Sequence, residues 1–522
     1  MHWFWSVLLS DVLTFFSFPP FPLGAVMLIG LMPLFIALEK APTWQSAFFR
    51  AWVYVFIGNS AICFWVGPTL QEFARVPAWI SYPSVGLLSL LEQSAWPVMA
   101  ALRFILHRRY GVRPLLWTPA CLVVLDYAWP KFFPNSMGNV FYSIPWLSQF
   151  ADVFGVWGLT GLIVLTNEIA AAWVVRTWSP KELFRHTVVT VALVVTIFSY
   201  SLWRYHQIQQ VIAAPEGHLK VSLVQPNINP IALVRQAPDK HAARYIYTVP
   251  LLELSQRALA FAPDLIFWPE TSVSNTYGTG DARETVAVTD AINSFARQSK
   301  TPLLFGARDR NGEDLYNALF LLEPSATGSL AVQRYYKSRL LWLGEYIPFS
   351  STFPAIADHI RQQGGTTFTP GKGAMTFALG KYKLGPMICL EGLYGDYVRE
   401  LATDADILVN ATNDAWFGTG MEPPLHLYLT SFRAIENRRP LIRSTTTGHS
   451  AVIDIDGKLL LKTALGERGV FNESVPVYPK LQSLYRLWGN LPMALGFLYF
   501  AAWFFALRWR SKRPSARKPD RN

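Results

Sequence analysis

Three polar residues stand where apolar, strand-like runs end, and together they could carry nucleophilic catalysis. Cys389 closes LGPMIC and leads into Leu390-Glu391-Gly392. A strand running into a glycine-containing turn can expose a nucleophile, and a thiol attacks as its thiolate once a base or cation is close. Glu270 closes DLIFWPE, after Pro269 and beside Trp268. A carboxylate in apolar surroundings has a raised pKa suited to proton transfer. Lys337 follows Tyr335-Tyr336 and precedes LLWLGEYIPF. An ammonium there could stabilise a thiolate or an oxyanion. Each residue has an ordinary alternative: a small buried hydrophobe for the cysteine, a cap for the glutamate, a surface position for the lysine. The set is more telling than any member.

The elements that must bring the three together read as α/β. Strand-like runs cover 219–225, 264–270, 302–307, 384–389 and 406–411, with 315–322 and 330–336 as an antiparallel pair. Helical patterns fit 240–261, 282–298 and 425–438. Alternation of this kind makes a layered domain, and about 260 residues can bury an ample core. Of the three cysteines, Cys63 and Cys121 fall in long apolar runs, so Cys389 has no partner in its own domain. The nine histidines show no HExxH-type spacing, and His426 and His449 stand alone. No metal or cofactor is expected.

The rest of the chain is of a different kind. Charged residues make up 16% of the 522 residues. They are roughly 10% of residues 1–205 and roughly 19% of the remainder. Eight runs are apolar enough to be membrane spans: 3–18, 21–38, 47–67, 85–106, 115–130, 158–178, 187–205 and 487–507. A chain in lipid must satisfy its own backbone, so these runs are expected to be helices. The charge-poor N-terminus does not resemble a cleavable signal peptide. The expected domains are a bundle over 1–205, an outer domain over 206–480, and a final helix with a basic tail over 481–522. Lysine and arginine collect in every second loop and in the tail, where Arg508, Arg510, Lys512, Arg513, Arg517, Lys518 and Arg521 face only Asp520. That bias places both termini in the cytoplasm and 206–480 outside. The net charge of +11 therefore reports topology and needs no nucleic acid. Composition also excludes disorder, collagen-like repeats and a disulfide scaffold. Glu92, Asp126 and Glu168 fall inside candidate spans and are expected to face the bundle interior.

WPE (268–270), YYKSRLLWLGEYIPF (335–349), MICLEG (387–392) and NATNDAWFG (410–418) resemble the nitrilase superfamily of carbon–nitrogen hydrolases. RAIENRRPLIR (433–443), followed by Gly448-His449-Ser450, matches that family's next helix and strand. With the multi-span N-terminal half and the single C-terminal span, the chain is similar over nearly its whole length to the membrane branch, the bacterial apolipoprotein N-acyltransferases. The resemblance implies an αββα sandwich and a Glu–Lys–Cys triad. Cys389 would be nucleophile, Glu270 general base and Lys337 oxyanion stabiliser, with Glu345 and Glu391 as supporting acids. Trp416, Leu390 and Trp268 would line the substrate pocket. Two departures stand out: Leu390 replaces a tyrosine frequent after the nucleophile, and the arm 227–238 lacks the family's tryptophan.

The implied reaction is ping-pong transfer of an acyl chain from a phospholipid, with phosphatidylethanolamine the expected donor. It passes through a Cys389 thioester to the α-amino group of a diacylglyceryl-cysteine apolipoprotein. The implied setting is the bacterial inner membrane, with the catalytic domain on the periplasmic side. The apolar, aromatic 340–349 stretch and the 353–368 stretch are expected to dip toward the bilayer or act as a lid. A membrane-tethered nitrilase-like amidase or thioesterase, with water as acceptor, is the alternative.

Overall fold

The computed structural model describes residues 2–73, 76–229, 233, 240–278, 283–342, 344–346, 354 and 367–512. Most of the arm 227–238, most of the 353–368 stretch, Arg75 and the basic tail beyond Lys512 lie outside them.

The apolar runs of the N-terminal half are helical, but two are broken. Trp44–Ile62 bends by 57° into a second helix beginning at Val66. Ala78–Glu92 bends by 46° into Ala95–Tyr110. A helix therefore occupies part of 68–84, which reads as a loop in the sequence. Val156–Val175 and Pro180–Ile212 are each long and apolar enough to cross a membrane, and each bent pair passes the same test together. Gly24–Glu39, Pro114–Ala128 and Leu491–Trp503 are shorter apolar stretches.

Several ionisable groups inside this half are paired, whereas both Asp11 carboxylate oxygens are buried without a hydrogen-bond partner among the described residues. Arg103 reaches Glu168 at 2.6 Å and Glu39 at 2.9 Å, joining three helices. Glu92 accepts the Phe133 N–H at 2.7 Å. Asp126 accepts from Lys131 at 2.6 Å and from the Ser136 hydroxyl at 2.9 Å. Pairing answers the cost of moving charge away from water.

Among the described residues the outer domain holds thirteen strands. They are β1 (Gly217–Gln225), β2 (Leu265–Phe267), β3 (Val273–Thr276), β4 (Leu303–Asn311), β5 (Asp314–Pro324), β6 (Leu330–Tyr336), β7 (Phe377–Leu379), β8 (Tyr382–Ile388), β9 (Ile407–Thr412), β10 (Leu441–Thr445), β11 (Ala451–Ile453), β12 (Leu459–Lys462) and β13 (Gly469–Val477). One sheet runs β13-β1-β2-β4-β5-β6 with β3 beside β4, and the other runs β12-β11-β10-β9-β8-β7. Side chains alternate across each strand. Phe267, Leu304, Leu319 and Leu321 fill the space between the sheets with Ile388, Val409 and Ile442. Ile266, Trp268, Leu303, Phe305 and Phe320 face the helices Lys240–Ala258 and Arg283–Ser299. Gly395–Leu401 and Glu422–Asn437 lie against the other sheet's side of the domain, which gives the order helix, sheet, sheet, helix.

This topology decides where side chains can meet. β1, β2 and β4 are parallel, and two antiparallel steps bring β6 back to the direction of β4. The ends of β2 and β6 thus lie at one edge. β8, β9 and β10 are parallel in the facing sheet. Ligands of such sheets gather beyond the carboxyl ends of the strands.

Bundle and outer domain meet in a buried ionic joint. Asp152 accepts from Arg438 at 2.7 Å, Arg204 at 2.6 Å and the Tyr200 hydroxyl at 2.7 Å. Arg438 also donates to Gln149 at 2.6 Å and to the Ile455 carbonyl at 2.9 Å.

Candidate active site

Glu270 follows β2, and Gly306 lets it lie close to β4. A Cβ on Gly306 would come within 2.7 Å of the Glu270 Cα. The next residue, Thr271, has φ of 57°, so the chain turns sharply there. Lys337 follows β6, and its N–H donates to the Asn317 carbonyl of β5 at 2.8 Å. Cys389 follows β8 and begins a tight helical turn, Cys389–Leu393, with φ of 53°. A non-glycine residue in this left-handed region is strained. Such a turn presents the thiol at the strand end instead of along the strand.

The structure brings these three together from two sheets, with exposures of 4% for Glu270, 2% for Lys337 and 5% for Cys389. Glu345 joins them. Lys337 Nζ lies 2.8 Å from Glu345 Oε2 and 3.5 Å from Glu270 Oε1. Asn317 Nδ2 donates to Glu270 Oε1 at 2.8 Å and to Glu345 Oε1 at 2.6 Å. The Leu341 N–H donates to Glu345 Oε2 at 2.9 Å. Both Glu345 oxygens are therefore engaged, whereas Glu270 Oε2 is buried without a hydrogen-bond partner. The geometry separates two carboxylates that look alike in sequence: Glu345 is the fixed counter-ion of Lys337, and Glu270 keeps an oxygen free to take a proton.

Charge energetics agree. Burial, opposed by Lys337 and reinforced by Glu345, holds the Glu270 carboxyl above its ordinary pKa. Burial also opposes the Lys337 ammonium, but Glu345 and Glu270 outweigh it and hold its pKa well above the usual lysine value. Burial and then the Glu270 charge push the Cys389 thiol up, against the pull of Lys337. Resting Cys389 is therefore a neutral thiol. Moving its proton to Glu270 leaves the net charge of the buried site unchanged, so no further charge has to be desolvated.

Glu391 plays another part. It accepts from the Tyr335 hydroxyl, from Ser338 N and Arg339 N, and from Ile388 N, at 2.7 to 3.0 Å. It thereby ties the segment after Lys337 to the turn that carries Cys389. Leu390 is buried in that turn. Trp416 is half-buried at the end of Asp414–Trp416, after β9. Trp268 lies elsewhere, in the core under the helices, where its indole donates to Ser255 at 2.8 Å. Sequence reasoning passes over Asn317 and Tyr335, and also Thr412, whose side chain lies beside the Cys389 thiol.

A cavity of about 770 Å³ opens where the bundle meets the outer domain, with Trp129 and Trp157 on one side and Ser338, Arg339, Leu393 and Tyr394 on the other. Ser338 adjoins Lys337, and Leu393 ends the Cys389 turn. Trp342 and Tyr346, on the aromatic stretch, are exposed at 54% and 39%.

His426 does not stand alone as its sequence context suggests. It lies 3.2 Å from Glu422 and 3.3 Å from Asp414, all fully buried. Among the described residues these three form a set of metal-ligating type. Both Asp414 oxygens are already held by Arg443 at 3.0 and 3.1 Å. The donor set therefore fits an ion-pair network better than a metal cage, since a guanidinium occupies the lone pairs a cation would need.

Comparison with known proteins places both halves. The family described as carbon-nitrogen hydrolase matches residues 220–476, and the one described as apolipoprotein N-acyltransferase N-terminal domain matches 10–169. The chain is 31% identical to the apolipoprotein N-acyltransferase of Geobacter metallireducens, over 97% of this chain and 95% of that one. It is 30% identical to that of Bdellovibrio bacteriovorus, over 89% and 86%. Among solved structures, a CN-hydrolase superfamily protein from Xanthomonas campestris aligns at 20% identity over 49% of this chain and 90% of its own, with a TM-score of 0.36.

Proposed function

Because this chain belongs to the apolipoprotein N-acyltransferase family of the nitrilase superfamily, we propose that its site transfers an acyl chain from a phospholipid to a lipoprotein N-terminus through Cys389. The observation that carries the mechanism is the convergence of Glu270, Lys337 and Cys389, with one Glu270 oxygen unpartnered.

Glu270 takes the thiol proton as Cys389 sulfur attacks the sn-1 ester carbonyl. Lys337 Nζ faces the oxyanion that forms; removing one such donor typically costs about 3–4 kcal/mol. The carbonyl–oxygen bond breaks, Glu270 returns its proton to the leaving lysophospholipid, and an acyl-thioester remains. The α-amino group of a diacylglyceryl-cysteine then attacks the thioester. Glu270 accepts the amine proton, the C–S bond breaks, and the thiol is restored with an amide as product. Phosphatidylethanolamine is the proposed donor, and Leu390 and Trp416 are proposed to line the acyl path.

The same reading assigns residues 1–205 to an eight-span bundle completed by the last helix of 481–522, with residues 206–480 as the catalytic domain on the periplasmic side. The bent pairs, the short apolar stretches and the helix His2–Phe15 then supply the remaining crossings. A tryptophan-lined cavity whose wall includes Ser338, next to Lys337, and Leu393, at the end of the Cys389 turn, suits a donor that arrives from lipid.

The test uses full-length protein in detergent. With phospholipid it should gain a hydroxylamine-sensitive acyl adduct on Cys389, and a diacylated peptide should then discharge it as amide. An adduct that persists in Cys389→Ala would sink the mechanism. Discharge only to free fatty acid, with the peptide present, would favour a water-using hydrolase.

A further inference from the structure

Behind the nucleophile lies a buried polar chain that the reaction steps above do not use. In the β8–β9–β10 register, Met387 pairs with Asn410, and Asn410 with Arg443. Asn410 Nδ2 donates to the Cys389 carbonyl at 3.1 Å. Arg443 Nη1 donates to Asn410 Oδ1 at 2.7 Å. Arg443 Nη2 donates to both oxygens of Asp414. Asn410, Arg443 and Asp414 are fully buried. Thr412 donates to Asp414 Oδ1 at 3.2 Å, and its side chain lies beside the Cys389 thiol. Gly448 leaves room for Asp414, because a Cβ there would overlap Oδ2.

We propose that Asn410 and Arg443 are positioning residues, which hold the Cys389 turn in its left-handed conformation from behind. The argument is one of donors and acceptors. A guanidinium can only donate, so Arg443 forces Asn410 to present Oδ1 to it. The Asn410 amide N–H₂ must then face the Cys389 carbonyl. Asp414 fixes Arg443 in turn with a two-pronged grip. The carbonyl and the thiol of one strained residue are thus both referred to the same Arg443–Asp414 pair. A turn at φ of 53° would otherwise relax toward the common β region and carry the sulfur away from Glu270 and Lys337.

This inference rests on Cys389 being the nucleophile, and the experiment separates the two. Single-turnover acylation, KM for phospholipid and melting temperature are measured on the full-length enzyme. Asn410→Asp keeps the oxygen that Arg443 needs but sets a second oxygen against the Cys389 carbonyl. It should slow acylation about 100-fold, the penalty of a small misplacement, with KM unchanged. Arg443→Lys, which loses the fork, should slow it as well. Arg439→Lys is the control: Arg439 is equally buried and bonds the Ala405 and Arg438 carbonyls, with no link to Cys389. It should lose melting temperature but acylate at the wild-type rate. Wild-type acylation by Asn410→Asp, or equal slowing in Arg439→Lys at equal loss of melting temperature, overturns the proposal. If Asn410→Asp does not accumulate, Asn410→Ala decides by the same criterion. If Cys389→Ala still forms the adduct, both readings fall; if it is inert while Asn410→Asp is normal, only this one does.

Discussion

Two buried cations in this molecule each face two carboxylates, and they differ in one respect. In the bundle, Arg103 meets Glu168 with two bonds and Glu39 with one, while the second Glu39 oxygen accepts from Thr177 at 3.0 Å. Every carboxylate oxygen has a partner. In the outer domain, Lys337 and Asn317 leave one Glu270 oxygen with none. A closed set of charges holds helices together, whereas an open one keeps a proton acceptor in reserve. Leaving a buried oxygen unpaired costs free energy, and beside a thiol that oxygen is placed to accept a proton.

That contrast can be broken by substitution. Glu270→Gln should have the largest effect, lowering acylation about 10²–10⁴-fold. Its melting temperature should hold or rise, because a carboxylate is removed from beside Glu345. A large loss of melting temperature would make Glu270 structural after all. Arg103→Met should do the reverse. Stranding two buried carboxylates costs about 3–5 kcal/mol, seen as lower yield and stability, with normal acylation per folded molecule. Adding Glu39→Gln and Glu168→Gln should recover part of that loss. The smallest effect is expected for Asn317→Ala. Activity needs ionised Glu270, whose pKa is already raised by burial, so it falls as pH drops through that pKa. Removing the Asn317 donor raises the pKa further and moves the acid limb to higher pH by about one unit. An unmoved limb would show that Glu270 is not the titrating base.

The convergence of Glu270, Lys337 and Cys389 was legible in sequence because each ends or follows an apolar run, and strand ends on one edge of a sandwich converge. Glu345 and Glu391 came only with the family motifs. Asn317 was hidden because it lies inside β5, and its value depends on the pairing that sets Lys337 beside it. Asn410 and Arg443 were quoted within motifs, but their contact across β9 and β10 is a matter of register. Trp268 lies two residues before Glu270, where strict alternation would put both on one face; the chain instead leaves β2 at Phe267 and turns at Thr271, so Trp268 stays with Ile266 under the helices. The short strands β3, β7, β11 and β12 carry too few residues to show a pattern. The helix break near Cys63 left no mark on hydropathy, because the chain stays apolar through Phe64 and Trp65, and the one near Gln93 rests on only three polar residues, Glu92-Gln93-Ser94, inside a long apolar run. Glu168 was correctly placed inward, but its partner is 65 positions away.

Asp152 has a consequence for how the enzyme is supplied. Donors from Arg204 and Tyr200 on one helix and from Arg438 on the outer domain converge on its carboxylate. That weld ties the outer domain to the bundle and resists a swing between them. The site keeps one place relative to the bundle, and traffic must come to it. Turnover in a membrane should therefore track how crowded and how fluid the leaflet is around a stationary doorway.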